Sequence, residues 1–194
     1  VAALITPDSK ITIKEVGMNH FRTGLFDVLT EMGGNLTIEN YTSESGEPIA
    51  DITASSSNLH GTAVKAAYAP RMIDEYPILS VAAAFASGET RLEGLEELKV
   101  KESNRLTAIK KMLGDCGVKS KIEENSLTIE GKGGLINGGG TILAPHDHRI
   151  AMSGIVLGLI SLKQVLVKGT ESIETSFPNF FDLLAKLGAN VSRT

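Results

Sequence analysis

The sequence predicts an α/β chain assembled from repeated strand-helix-strand units, and three observations carry that prediction. A strand, a glycine-containing link, an amphipathic helix and a helix-ending glycine leading into another strand recur around residues 11–37, 90–120 and 164–191. Two further helices, starting at Asp74 and Asp147, are too apolar to sit on a surface and belong at the centre of the stack. The composition fits: 42% of the 194 residues are apolar and 22% are charged, enough chain for one domain with a substantial core. A period of roughly 60 to 80 residues is that of stacked βαβ-type units.

Residues 11–16 form a strand of largely β-branched side chains. Gly17 and an amphipathic helix follow, with Leu25, Phe26, Leu29 and Met32 at helical spacing and Gly33-Gly34 as its stop. Residues 35–41 alternate as a half-buried strand, 43–47 turn, and 50–55 make a strand able to pair with it. A short extended stretch lies near 62–64. Residues 74–86 are helical, with Asp74 as N-cap and Pro77 tolerated in the first turn, and Gly88 stops them. Strand 90–92 precedes a charged stretch from Leu98 to Arg105, whose helix takes Ser103 as N-cap and turns Leu106, Ile109 and Leu113 inward. Residues 118–123 and 126–130 form a hairpin about Glu124-Asn125. The glycine-rich run 131–140 lacks a following Gly-Lys-Ser/Thr and reads as a flexible connection, not a phosphate loop. A strand at 141–143, a helix capped by Asp147 through Ile160 and a strand at 164–168 come next. Ser176 and Pro178 open a helix to Leu187, and residues 189–192 are a last strand.

The totals exclude several function classes. A net charge of −4 suggests neither a nucleic-acid surface nor a membrane surface, so any anion site must be local. Cys116 is the single cysteine, which fits a reducing, cytoplasmic setting and leaves no intrachain disulfide. The longest apolar run, 150–162, is too short to span a bilayer and reads as a buried helix. No basic-then-apolar leader is present, and the start at Val1, close to a strand, suggests part of a longer protein.

Polar residues concentrate at helix starts: Asn19 to Arg22, Asp74-Glu75, Lys101 to Arg105, Asp147-His148-Arg149 and Ser176. In a repeat, equivalent ends emerge on one side, and together these would line an anion cleft. Its cations would bind phosphate and carboxylate, and the carboxylates among them could exchange protons. Purely local roles compete with this reading. Asp74 and Asp147 are good helix caps, and Glu102 can pair with Lys99 or Arg105. His146 and His148 lack the further Cys/His ligands of a zinc site, and His20 and His60 receive no functional assignment.

These residues resemble the enolpyruvyl transferase family, most of all its branch acting on shikimate 3-phosphate. The match rests on Met72 to Pro77 with the Ala-rich helix after it, on Leu95 to Leu106 with its Lys-Glu-Ser-Asn-Arg motif, on Asp147 to Met152, and on Thr175 to Pro178. It runs through essentially the whole chain. The resemblance implies an inside-out fold of two similar domains, each made of three βαβαββ units with helices inside and sheets outside. Residues 1–194 would be the C-terminal domain, with the N-terminal domain as a missing partner. The implied reaction moves the enolpyruvyl group of phosphoenolpyruvate to the 5-hydroxyl of shikimate 3-phosphate and releases phosphate, a step toward chorismate and the aromatic amino acids.

By matching motif, the resemblance makes Asp74 the proton acceptor that also binds the shikimate hydroxyls, Lys101 the lysine shared by both substrates, and Glu102 the acid/base partner at the methylene carbon. It leaves open which carboxylate protonates that carbon. Arg105 and Arg149 resemble the phosphoenolpyruvate-binding arginines, and His148 lines the same place. No metal or organic cofactor is implied. Two positions depart from the family pattern: Thr175-Ser176 stand where many members have a lysine, and Glu97 stands where others have an asparagine. With the Asp-Glu-Tyr-Pro wording, these look like the bacterial subgroup that includes glyphosate-tolerant members. The alternatives are an isolated noncatalytic anion-binding or folding domain, and the related transferase acting on a UDP-sugar, which the Lys-Glu-Ser-Asn-Arg wording disfavours.

Overall fold

A computed structural model describes residues 1–193 of the chain. A short helix, α1 (Ala2–Ile5), leads into β1 (Lys10–Gly17). A single 3-10 turn (His20–Arg22), closed by the Asn19 side chain accepting from the Phe21 N–H, then opens α2 (Gly24–Glu31). Its inner face buries Val28 and Leu29, and Met32 beyond its end is buried too. The chain leaves the helix through Gly33 at φ 85, a backbone state that glycine adopts without a Cβ penalty. Strands β2 (Asn35–Glu44) and β3 (Glu47–Ser55) form a hairpin turned at Ser45-Gly46, and β1 pairs antiparallel with β3 to give a sheet of order β1-β3-β2.

Strand β4 (Ala63–Val64), helices α3 (Ala69–Met72) and α4 (Tyr76–Phe85), and strand β5 (Ser87–Leu92) follow. Every residue of α4 except Ile78 is buried, so this helix is the centre of the core. Pro77 lies in its first turn, as the sequence requires. The expected cap is different. Asp74 sits in a 3-10 turn (Ile73–Glu75) before α4, Glu75 holds the cap position, and neither side chain bonds to the helix end. The Asp74 carboxylate instead turns toward three cations described below.

Helix α5 (Arg105–Asp115) is capped by Asn104, whose side-chain oxygen accepts from the Thr107 N–H, not by Ser103. The Ser103 hydroxyl donates to Asp147 instead, at 2.8 Å. Leu106, Ile109, Met112 and Leu113 all turn inward. Strands β6 (Ser120–Glu123) and β7 (Ser126–Lys132) make the expected hairpin and complete a sheet of order β4-β5-β7-β6.

The glycine-rich run is not merely a connection. It contains β8 (Ile136–Gly138), and after β9 (Thr141–Leu143) and helix α6 (His148–Gly158) the chain adds β10 (Ser161–Lys163) and β11 (Leu166–Lys168). Strand β10 pairs parallel with β8, and β11 pairs parallel with β9. A Cβ on Gly138 would fall 2.4 Å from the Lys163 carbonyl, so its glycine permits this close pairing. The predicted helix from Ser176 to Leu187 is split into α7 (Ile173–Ser176) and α8 (Phe180–Lys186), because Phe177 is non-helical ahead of Pro178. Residues 189–192 form no strand among the described residues.

Helices α4, α5 and α6 pack on one another, and the sheets lie outside them. Most residues of β1 and β2 are exposed, which is the expected inside-out arrangement. The repeat is visible as one order used twice: surface-side helix, antiparallel hairpin, short parallel strand, buried helix. It runs through α2, β2, β3, β4 and α4, and again through α5, β6, β7, β8 and α6. The third unit is represented by β11, α7 and α8, without the strand predicted at its end. If the helices carry the core, Leu79→Ala in α4, at a side chain with 0% exposure, should cost about 2–5 kcal/mol in urea unfolding. Ile13→Ala on β1, 58% exposed, should change stability by no more than about 0.5 kcal/mol.

Candidate active site

The starts of α4, α5 and α6 come together on one side of the helix core, and Arg105 joins them. Its side chain is fully buried. Nε donates to Asp147 Oδ2 and Nη1 to Asp74 Oδ1, both at 3.0 Å. Nη2 lies 2.5 Å from Glu102 Oε2 but makes no directed hydrogen bond, because that carboxylate stands off the N–H direction. The i,i+3 placement of Glu102 and Arg105 on the start of α5 makes this pairing local.

Asp147 is 1% exposed and uses both carboxylate oxygens. Oδ1 accepts from the Arg149 and Ile150 N–H groups, the cap that the sequence predicts for α6. Oδ2 accepts from Ser103 and Arg105. Burial pushes its pKa up, but the Ser103 and Arg105 hydrogen bonds, the Arg105 charge and the Ile150 N–H outweigh it, so the carboxyl titrates below its usual range.

Asp74 holds the open side of the cluster. Besides Arg105 it faces Lys101 Nζ at 3.6 Å and Arg149 Nη2 at 3.5 Å, while Arg149 Nη1 donates to the Asp74 carbonyl at 3.2 Å. Partial burial raises its pKa, yet Arg149, Lys101 and Arg105 together bring it below the ordinary carboxylate value. At neutral pH this group is ionised. Its neighbour Glu75 behaves oppositely: burial raises its pKa, and Arg149 at 3.7 Å and Arg22 at 3.9 Å offset that only in part.

Lys101 lies in the loop before α5 and pairs with Glu97 at 2.6 Å. The Glu97 hydrogen bond is the main reason its pKa is raised, against a smaller effect of burial. Thus Asp74, Lys101, Glu102, Arg105 and Arg149 are brought together as the sequence anticipates. His148 is partly buried in the first turn of α6 but makes no hydrogen bond or ion pair to the cluster among the described residues. Ser176 ends α7 and also has no bond to the cluster among the described residues.

Sequence reasoning missed three features. The sequence offers Asp147 as a cap and as one of the polar groups of the cleft, but nothing linear reveals that its second oxygen receives a buried arginine from 42 residues away. Arg22 and Glu75 meet within the first repeat but 53 residues apart, equally out of reach of local pattern. The Glu97–Lys101 pair was accessible, since their four-residue spacing is that of helical ion pairs.

The arrangement can bind oxyanions and hold an ionised carboxylate beside them. Because the Asp147 carboxyl ionises more readily in the folded chain, its stabilising contribution is complete above the unfolded pKa of about 3.9 and is lost as pH falls through the lower folded value. Asp147→Asn should therefore flatten the loss of stability below about pH 4 in denaturant midpoints measured against pH. At pH 7, Arg105→Leu should lower unfolding stability by about 3–5 kcal/mol, by leaving Asp147 buried without its cation.

Residues 1–184 match the family described as EPSP synthase (3-phosphoshikimate 1-carboxyvinyltransferase). A 3-phosphoshikimate 1-carboxyvinyltransferase from Granulibacter bethesdensis is 53% identical over 192 residues, covering 99% of this chain and 42% of the relative. That of Paramagnetospirillum magneticum is 48% identical over 192 residues, covering 99% and 43%. Among solved structures, EPSP synthase from Acinetobacter baumannii aligns with a TM-score of 0.93 at 41% identity, covering 96% of this chain and 43% of that one. The chain therefore spans less than half the length of these relatives. The match includes every residue of the buried-arginine cluster, and the chain belongs to the EPSP synthase (3-phosphoshikimate 1-carboxyvinyltransferase) family.

Proposed function

We propose that this chain supplies one half of the active site of an enzyme that transfers the enolpyruvyl group of phosphoenolpyruvate to the 5-hydroxyl of shikimate 3-phosphate, releasing phosphate. The observation that carries this reading is the ionised Asp74 carboxylate held among Lys101, Arg105 and Arg149. The reaction needs cations for two phosphates and a carboxylate, a base for the attacking hydroxyl and an acid for the methylene carbon.

The roles are those that the family resemblance implies, and the positions of the side chains support them. Arg149 binds phosphoenolpyruvate oxygens, and Arg105, keeping its Asp147 bond, offers them Nη1 and Nη2 where Asp74 and Glu102 stand, with His148 beside them. Lys101, in the loop before α5, is the cation shared by both substrates. Asp74 binds the shikimate hydroxyls and takes the proton of the one that attacks. Its depressed pKa makes it a weak base while three cations face it. Substrate oxygens that engage those cations weaken that field, and the basicity of Asp74 returns toward its ordinary value. Glu102, about half exposed, serves the methylene carbon as acid/base partner.

The cluster carries four carboxylates, Asp74, Glu97, Glu102 and Asp147, against three cations, Lys101, Arg105 and Arg149, so it has no surplus positive charge with which to hold two phosphorylated substrates. This is the expected deficit of half a cleft, with the remaining cations on an N-terminal domain that completes the protein in the cytoplasm. In the full-length protein, Lys101→Ala and Asp74→Ala should each lower kcat by about 10²- to 10⁴-fold in a phosphate-release assay, with circular dichroism unchanged. Turnover within a few-fold of the parent in either variant overturns the assignment. The present chain should be silent alone and active only on addition of the separately produced N-terminal half.

A further inference from the structure

Glu97 lies outside the roles given above, yet its carboxylate makes the tightest contact of Lys101, at 2.6 Å, while Asp74 stands at 3.6 Å. The two partners differ in what else they do. Asp74 is engaged by Arg105 and Arg149, whereas Glu97 has no other cation partner among the described residues. The backbone beneath Glu97 is fixed. It belongs to a 3-10 helix (Glu96–Val100) anchored by the fully buried Leu98, and Lys99 ties its far side to Asn125 at 2.6 Å. The Glu97 side chain itself is 56% exposed, against 23% for Lys101. A half-exposed carboxylate can swing into water at small cost, but Lys101 is confined to the cluster.

We propose that Glu97 is a built-in competitor for Lys101, its carboxylate contending with a substrate oxyanion for the same ammonium, so that it tunes how tightly the site holds phosphoryl or carboxylate groups. The proposal rests on the reading of Lys101 as a substrate-binding cation. An exposed ion pair is weak enough for a ligand to displace and strong enough to be measured. Its direction is opposite to that of a supporting residue: removing Glu97 should strengthen anion binding.

The test is calorimetric titration of the full-length protein with inorganic phosphate. Glu97→Gln should bind phosphate about three- to fivefold more tightly, the size of one exposed ion pair. Glu96→Gln, one residue away and outside the pair, removes the same net charge and should leave affinity unchanged. Adding Lys101→Met to Glu97→Gln should abolish the gain. Unchanged or weaker phosphate binding in Glu97→Gln overturns the proposal, as does an equal gain in Glu96→Gln or a gain that survives loss of Lys101. The KM values for phosphoenolpyruvate and shikimate 3-phosphate identify the substrate whose oxyanion competes: that KM falls in Glu97→Gln, and a rise in both overturns the proposal. Failure of the functional reading appears separately, as near-normal turnover of Lys101→Met.

Discussion

A guanidinium with no contact with water must be surrounded by acceptors, and that requirement on Arg105 organises one whole side of the molecule. Desolvating such a charge costs several kcal/mol unless carboxylates meet it with good geometry. Asp147 and Asp74 do so from two other segments of the chain, each at 3.0 Å. The same Asp147 carboxylate closes the first turn of α6, so the orientation of Arg105 and the start of α6 are not independent. Buried ion pairs contribute little net stability in general, but they punish misplacement severely. Here that penalty fixes the relative positions of three helix starts.

The inside-out packing supplies the rest. Because α4 is apolar on almost every side, it cannot border water, and α5, α6 and strand β7 cover it. Three helix N-termini then point one way, and their unsatisfied N–H groups favour negative charge at that end. Part of this field is answered by Asp147, directly as a cap. Asp74 does not cap its helix and is left to face Lys101 and Arg149. The arrangement is therefore a set of exchangeable ion pairs on the open side, around one pair that is buried and not exchangeable. Oxyanions can replace carboxylates at Arg149 and Lys101 without disturbing the Arg105–Asp147 pair beneath.

Much of the fold was legible because its signals are local. Periodic apolar residues located α2, α4, α5 and α6, and the Glu124-Asn125 turn located the β6–β7 hairpin. The parallel strands β8 and β10 were not legible. Each has three residues, and their pairing partners lie 25 residues apart, so nothing local distinguishes them from a glycine-rich link. The break at Phe177-Pro178 was also misplaced, since Pro178 was read as starting a helix when its effect is to exclude helical geometry from the residue before it. At the site, the motif residues Asp74, Lys101, Glu102, Arg105 and Arg149 could be named in advance, whereas the capping expectations for Asp74 and Ser103 failed for one reason. Both side chains have stronger partners on other helices than any backbone N–H nearby.

The sequence by itself determined the class of fold, the two helices that must be interior and the residue types that make an anion site, because these depend on hydrophobic period and chemical group. Only the tertiary structure decided which carboxylate faces which cation. Asp147 became both cap and counter-ion of Arg105, and Glu75 became a partner of Arg22 and Arg149. The physical reason is that ion pairing depends on distance and burial after the helices have packed, and neither quantity is encoded in the spacing of residues along the chain.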